Sequence, residues 1–192
     1  MTRVHGNKKL LRRTDIVPKK NYREYEKDLR KDFQDTCGYC GKIVEVSKSD
    51  FEIDHFIPKS LAKNKINDYS NLVYSCKQCN RKKSNKWPTK DVNLSHNEIE
   101  GFVDPVLDEY DEHLERTVEG DIIGRTELGN YMVSAFSFDK RPMREIWRLI
   151  NLSLERDRLL KVDSRDLESF KCWQNIAIEI DELLKKMFDC KE

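Results

Sequence analysis

Apolar residues recur at three- and four-residue steps early in the chain, at Tyr22, Tyr25, Leu29 and Phe33. That spacing predicts a helix over residues 21–33 with one apolar stripe. Ile43 to Val46 and Phe51 to His55 are short runs rich in β-branched and aromatic residues around Ser47-Lys48-Ser49-Asp50. They predict a hairpin. Pro58 to Ser70 reads as a polar loop, Asn71-Leu72-Val73-Tyr74 as a further strand, and Lys77 to Ser84 as a short helix. Beyond it, Phe102-Val103-Asp104-Pro105 predicts a packed turn, and residues 113–118 and 121–123 flank Glu119-Gly120 as a second hairpin. Two amphipathic patterns close the chain. One spans 142–161, with Ile146, Leu149, Ile150 and Leu154 on a stripe; the other spans 165–188 and carries Phe170, Trp173, Ile176, Ile180 and Leu184. The expected class is α+β.

A length of 192 residues suits one domain, or a compact catalytic unit with helical extensions. No apolar run approaches the ~20 residues of a membrane span, and the first twenty residues lack the apolar stretch of a secretory signal. The expectation is a soluble, cytoplasmic protein. The net charge of +1 hides a segregated distribution. Residues 1–20 hold seven Lys/Arg against Asp15 alone, and residues 59–90 hold nine against Asp68 alone. Residues 98–121 reverse the balance, with ten carboxylates and one Arg. Two basic blocks in an otherwise acidic chain suggest a local polyanion-binding surface. The chain divides accordingly into a basic arm and helix over 1–35, a central core over 36–95, and an acidic segment, hairpin and helices over 96–192.

Four of the six cysteines form two Cys-x-x-Cys pairs, Cys37/Cys40 and Cys76/Cys79. Such pairs wrap a tetrahedral Zn²⁺, and Gly38 and Gly41 ease the turn around the first. A disulfide framework is the weaker reading without a secretory signal, and a thioredoxin-like redox pair is disfavoured by two copies without a βαβ pattern. Cys172 and Cys190 are expected to pack as small hydrophobes on helices.

Between the knuckles lies Phe51-Glu52-Ile53-Asp54-His55-Phe56-Ile57-Pro58. On a strand, neighbouring side chains face opposite ways, so Asp54 and His55 have different roles. Asp54 suits a hard oxygen ligand for Mg²⁺ or a similar cation; His55, neutral near pH 7, suits a general base toward water. Glu52 reads as a surface charge on the outward strand face, with a supporting partner of the site residues as the alternative. His5, His96 and His113 sit in no comparable constellation.

Together, Cys37-x-x-Cys40, Ile53-Asp54-His55-Phe56-Ile57-Pro58, Asn71-Leu72 and Cys76-x-x-Cys79-Asn80-x-x-Lys83 resemble the HNH endonuclease family. The resemblance implies a ββα-metal core with a four-cysteine zinc ribbon, flanked here by N- and C-terminal helices. It implies that Asp54 and Asn80 hold a catalytic Mg²⁺ or Mn²⁺, that His55 is the general base, and that Asn71 braces the loop carrying it. Cys37, Cys40, Cys76 and Cys79 would hold the structural zinc, which in turn would fix Asn80 beside Cys79. Lys83, one helical turn from Asn80, is the expected phosphate contact at the cut, with Arg81, Lys82 and Lys86 on flanking phosphates. The implied substrate is DNA, with RNA as a further option; the lack of an evident aromatic platform for single-stranded bases favours duplex DNA. The zinc-ribbon unit followed by Phe102-x-Asp104-Pro105, an acidic segment, a hairpin ending at Thr126 and an Arg-rich helix is similar to small HNH proteins of bacterial antiphage systems such as the Septu type, which implies a regulatory ATPase partner. A non-catalytic zinc module that binds nucleic acid or scaffolds a protein is the alternative, and it leaves the ordered Asp/His/Asn set without a role.

Overall fold

The computed structural model describes residues 2–44, 50–161 and 167–189. The chain forms two compact units, Met1–Arg141 and Pro142–Glu192. The segments 1–35, 36–95 and 96–141 therefore share the first unit. Among the described residues, no helix is long and apolar enough to cross a membrane.

The predicted first helix is a 3₁₀ turn, Tyr22–Tyr25, running into α1, Glu26–Asp32. Asn21 caps the turn reciprocally with Glu24 in a capping box. Leu29 and Phe33 are fully buried, as the stripe requires. β1 (Phe51–His55) pairs antiparallel with β2 (Leu72–Cys76), Phe51 opposite Cys76 and His55 opposite Leu72. The expected hairpin between 43–46 and 51–55 is thus corrected: the partner of β1 lies 17 to 25 residues downstream, and Ile43 bridges Thr36 instead. Residues 45–49, including most of the expected turn, lie outside the described residues. Every residue of β2 is buried, so both of its faces and its outer edge need cover. The backbone N–H of Gly38 bonds the Tyr74 carbonyl at 2.9 Å, and Arg12 Nε bonds the Leu72 carbonyl at 2.7 Å. α2 (Lys77–Lys83) follows β2 directly, completing a β–β–α unit.

Beyond it come α3 (Tyr110–His113), the hairpin β3 (Leu114–Arg116) and β4 (Ile122–Gly124), and α4 (Glu127–Phe136). The second hairpin matches its prediction, whereas α4 was not anticipated. Thr126 caps it by accepting from the Gly129 N–H, and Leu128, Met132 and Phe136 bury one face. Gly129 is required there, since a Cβ would fall 1.9 Å from the His113 carbonyl oxygen.

The N-terminal basic block is not a free arm. Arg3 pairs with Asp111 at 2.5 Å, Arg12 with Asp104 at 2.6 Å, and Arg13 with Asp32 at 2.5 Å. Two of those carboxylates belong to the acidic segment, so part of the charge segregation is internal pairing rather than a polyanion-binding surface. Val4 and Leu10 anchor this strap in the core.

The second unit pairs α5 (Met143–Lys161) with α6 (Leu167–Asp189). Glu145 bonds Lys186 and Arg148 grips Glu179 with two nitrogens, a register that makes the pair antiparallel. Cys172 is exposed rather than packed, because its position on α6 lies off the apolar stripe; Cys190 lies outside the described residues.

Candidate active site

Two sites share the β–β–α unit, and the first is sulfur. The first knuckle closes with the Gly41 N–H on the Cys37 carbonyl at 3.0 Å, and Gly41 takes φ +73°, where a Cβ would meet the Val4 carbonyl oxygen at 2.6 Å. The second knuckle is the β2–α2 junction, with Cys76 at the helix cap and Cys79 in its first turn. The register of β1 and β2 and the Gly38–Tyr74 bond bring both knuckles together. All four Sγ atoms lie within 4.8 Å of one another and are buried. Cys40 Sγ and Cys76 Sγ are 3.8 Å apart, the roughly 3.8 Å that a tetrahedron of ~2.3 Å Zn–S bonds imposes. The four cysteines are placed to hold a metal, and the donor set fits zinc.

Arg141 lies over this cluster, with Nη1 donating to Cys79 Sγ at 3.2 Å and Nη2 near Cys40 Sγ and Cys76 Sγ at 3.7 and 3.8 Å. Burial alone would lower its pKa, but the three sulfurs more than offset that and hold it above the usual arginine value. Arg116, fully buried, ties the knuckle's carbonyl at Cys40 to those of Val4 and Gly120. Neither arginine has a signature in the sequence.

The second site is an open cleft of about 570 Å³ beside β1 and α2. Asp54, His55 and Asn80 all line it, together with Glu52, Arg81, Lys59, Tyr22 and Arg23. His55 is 4% exposed, and its Nε2 lies 2.8 Å from the Ile66 carbonyl oxygen. A carbonyl only accepts, so Nε2 carries the proton and Nδ1 of the neutral ring is left with its lone pair. Burial lowers the His55 pKa below that of a free imidazole, against the pull of the Ile66 carbonyl. Tyr22 packs against the ring in a T-shaped arrangement, the ring centroids 4.7 Å apart.

Asn71 braces the peptide behind His55. Its Oδ1 accepts from the Ile57 N–H at 2.8 Å, its Nδ2 donates to the Ile57 carbonyl at 3.1 Å, and its own carbonyl accepts from the Phe56 N–H at 2.8 Å.

Asp54 is 6% exposed, and its Oδ2 accepts from the Tyr39 hydroxyl at 2.6 Å and meets Lys83 Nζ at 3.2 Å. Burial pushes the Asp54 carboxyl up and the Lys83 ammonium down, and their mutual contact opposes both shifts.

Lys83 corrects the sequence reading. It is 0% exposed and donates to the His55 carbonyl at 2.8 Å as well as contacting Asp54, so it does not reach a phosphate. The helical turn that separates it from Asn80 points it under β1 instead of into the cleft. Lys86 is exposed and donates to the Ala135 carbonyl at 3.0 Å; Arg81 and Lys82 are exposed as well, and Arg81 lines the cleft.

Glu52 is the second of its two sequence readings, a partner of a site residue rather than a surface charge: its Oε2 accepts from Asn80 Nδ2 at 2.8 Å. The signal was available: Glu52 and Asp54 are two apart on a strand and share a face. Tyr22 and Arg23 had no such signal. They reach the cleft because Asn67 binds the Tyr22 N–H at 2.9 Å and the Lys20 carbonyl at 2.8 Å.

Residues 37–86 match the family model described as HNH endonuclease. No curated protein and no solved structure matches the chain. The matched segment holds both knuckles, β1, β2, α2, and Asp54, His55, Asn71 and Asn80. Residues 37–86 of the first unit are therefore similar to an HNH endonuclease domain.

Proposed function

We propose, from the HNH domain over residues 37–86, that the protein is a metal-dependent endonuclease that hydrolyses phosphodiester bonds in double-stranded DNA. The observation that carries this reading is the convergence of Asp54, His55 and Asn80 on one cleft, with His55 held through Nε2 so that Nδ1 serves as base. Asp54 and Asn80 supply oxygen donors suited to Mg²⁺ or Mn²⁺, and the open cleft leaves room for water and a phosphate. A bound dication supplies charge stabilisation for the pentavalent transition state and the leaving oxygen. His55 Nδ1 takes the proton of the attacking water. Lys83 and Tyr39 hold Asp54, while Asn71 and Lys83 hold the main chain on either side of the His55 peptide. Arg81, Lys82, Arg23 and Lys59 are the cations on which flanking phosphates would rest, an affinity without base readout. The order of the zinc-ribbon unit, acidic segment, hairpin and Arg-rich helix, similar to that of small antiphage HNH proteins, is what suggests an antiphage setting with a regulatory ATPase partner.

The test is plasmid cleavage by zinc-loaded protein with added Mg²⁺ or Mn²⁺, beside His55→Ala. The expected loss is on the order of 10²–10⁴-fold, with zinc content unchanged. Equal cleavage by both proteins removes His55 from the mechanism. Asp54→Ala and Asn80→Ala variants that keep full function would favour the non-catalytic zinc module.

A further inference from the structure

The zinc knuckle fixes the backbone of Asn80 through Cys79, but it leaves the side-chain torsions and the sense of the amide free. A carboxamide has one face that ligates a cation, Oδ1, and one that repels it, Nδ2. Among the described residues, the hydrogen bond recorded for this amide is Nδ2 to Glu52 Oε2 at 2.8 Å. An ionised carboxylate only accepts, so it binds the amide in one sense and leaves Oδ1 for a ligand. The strand makes the contact possible. Glu52 lies opposite Ser75, one position from the Phe51–Cys76 pair at the knuckle, and it lines the same cleft as Asp54 and Asn80. Asp54 Oδ2 is engaged by Tyr39 and Lys83, and it is Glu52 that meets the Asn80 amide.

We infer that Glu52 is a positioning residue for the catalytic cation: its carboxylate locks the Asn80 amide with Oδ1 turned to the metal. The inference rests on the reading of Asn80 as a metal ligand. It divides the work of placing Asn80 in two, with the thiolate cluster setting the main chain and Glu52 setting the amide. Partners of this kind, removed from the metal by one residue, typically change metal affinity by about 10–100-fold.

Binding of Mn²⁺ to zinc-loaded protein, followed by electron paramagnetic resonance, tests it without reference to cleavage. Zinc content and thermal unfolding establish that each variant is folded. Glu52→Ala is expected to weaken Mn²⁺ binding by about 10–100-fold. Glu52→Gln keeps an acceptor oxygen for Nδ2 and is expected to bind within about threefold of the wild type, as a positioning role requires. Equal weakening by Glu52→Gln and Glu52→Ala overturns the inference, because the charge itself would then be the ligand. Unchanged binding in Glu52→Ala, beside weakened binding in Asn80→Ala, also overturns it. Unchanged binding in Asn80→Ala overturns the reading of Asn80 as a ligand, and the inference with it.

Discussion

The sulfur cluster and the cleft sit on the same β–β–α unit, yet they are built by opposite rules. The cluster is closed: four buried thiols within 4.8 Å of one another, with a guanidinium over three of them. The cleft is open, and the side chains proposed as its donors, Asp54 and Asn80, are held by contacts to Tyr39, Lys83 and Glu52. A closed set of soft donors stabilises a fold, whereas an open set of hard donors leaves positions for substrate. Under the proposed function, rigidity made at one site is used at the other, through Cys79 and its neighbour Asn80.

The largest effect follows from breaking the closed site. Cys76→Ser, or zinc removal by a chelator, is expected to abolish cooperative unfolding of the first unit, since structural zinc contributes on the order of 10 kcal/mol. Circular dichroism on heating measures this, and an unchanged transition in metal-free protein would contradict it.

Next comes the pair beneath the cleft. Lys83→Met leaves Asp54 buried without its cation and is expected to cost about 3–5 kcal/mol in denaturant unfolding. Adding Asp54→Asn to Lys83→Met should recover part of that loss. A cost that persists undiminished would place it in packing rather than charge.

His5 adds a pH-dependent contribution close to the first knuckle. It is buried, its Nε2 lies 2.7 Å from the Gly38 carbonyl, and burial lowers its pKa to about 4, against that hydrogen bond. The unfolded chain, near 6.5, takes up the proton first. Stability from this group is therefore complete above pH 6.5 and is lost as pH falls toward 4, by about 3 kcal/mol in all. His5→Gln should flatten that slope in unfolding measured at successive pH values, and an unchanged slope would remove His5 as its source.

The smallest expected effect is at Arg141. Arg141→Ala removes the donor to Cys79 and should weaken zinc binding by roughly tenfold, read by competition with a chromogenic chelator. Equal zinc affinity in both proteins would make the guanidinium a packing group.

Much of the cleft is legible in the sequence, because its residues are local: Asp54 and His55 are adjacent, Asn80 follows Cys79, and Cys-x-x-Cys spacing is set by the metal it wraps. The second hairpin and the two closing helices are legible from periodicity. What depends on distant pairing is not. The partner of β1 is mistaken because the nearer run at 43–46 has the same strand character as β2, and composition does not encode which strand pairs. Lys83 is misplaced because charge suggests solvent, whereas a buried carboxylate two residues before Phe56 draws it inward. α4 is missed because Gly129, Asn130 and Val133 weaken helix propensity, and its support is the Thr126 cap and the buried Leu128, Met132 and Phe136. Arg141, Tyr22 and Arg23 reach their sites only through the tertiary fold.

The division into two metal sites is tested most directly by anomalous diffraction from crystals of the zinc-loaded protein soaked in Mn²⁺. The account predicts a zinc peak among Cys37, Cys40, Cys76 and Cys79, and a manganese peak in the cleft within coordination distance of Asp54 and Asn80. A fully zinc-loaded crystal with manganese bound elsewhere, or with the cleft empty at saturating Mn²⁺, would contradict it.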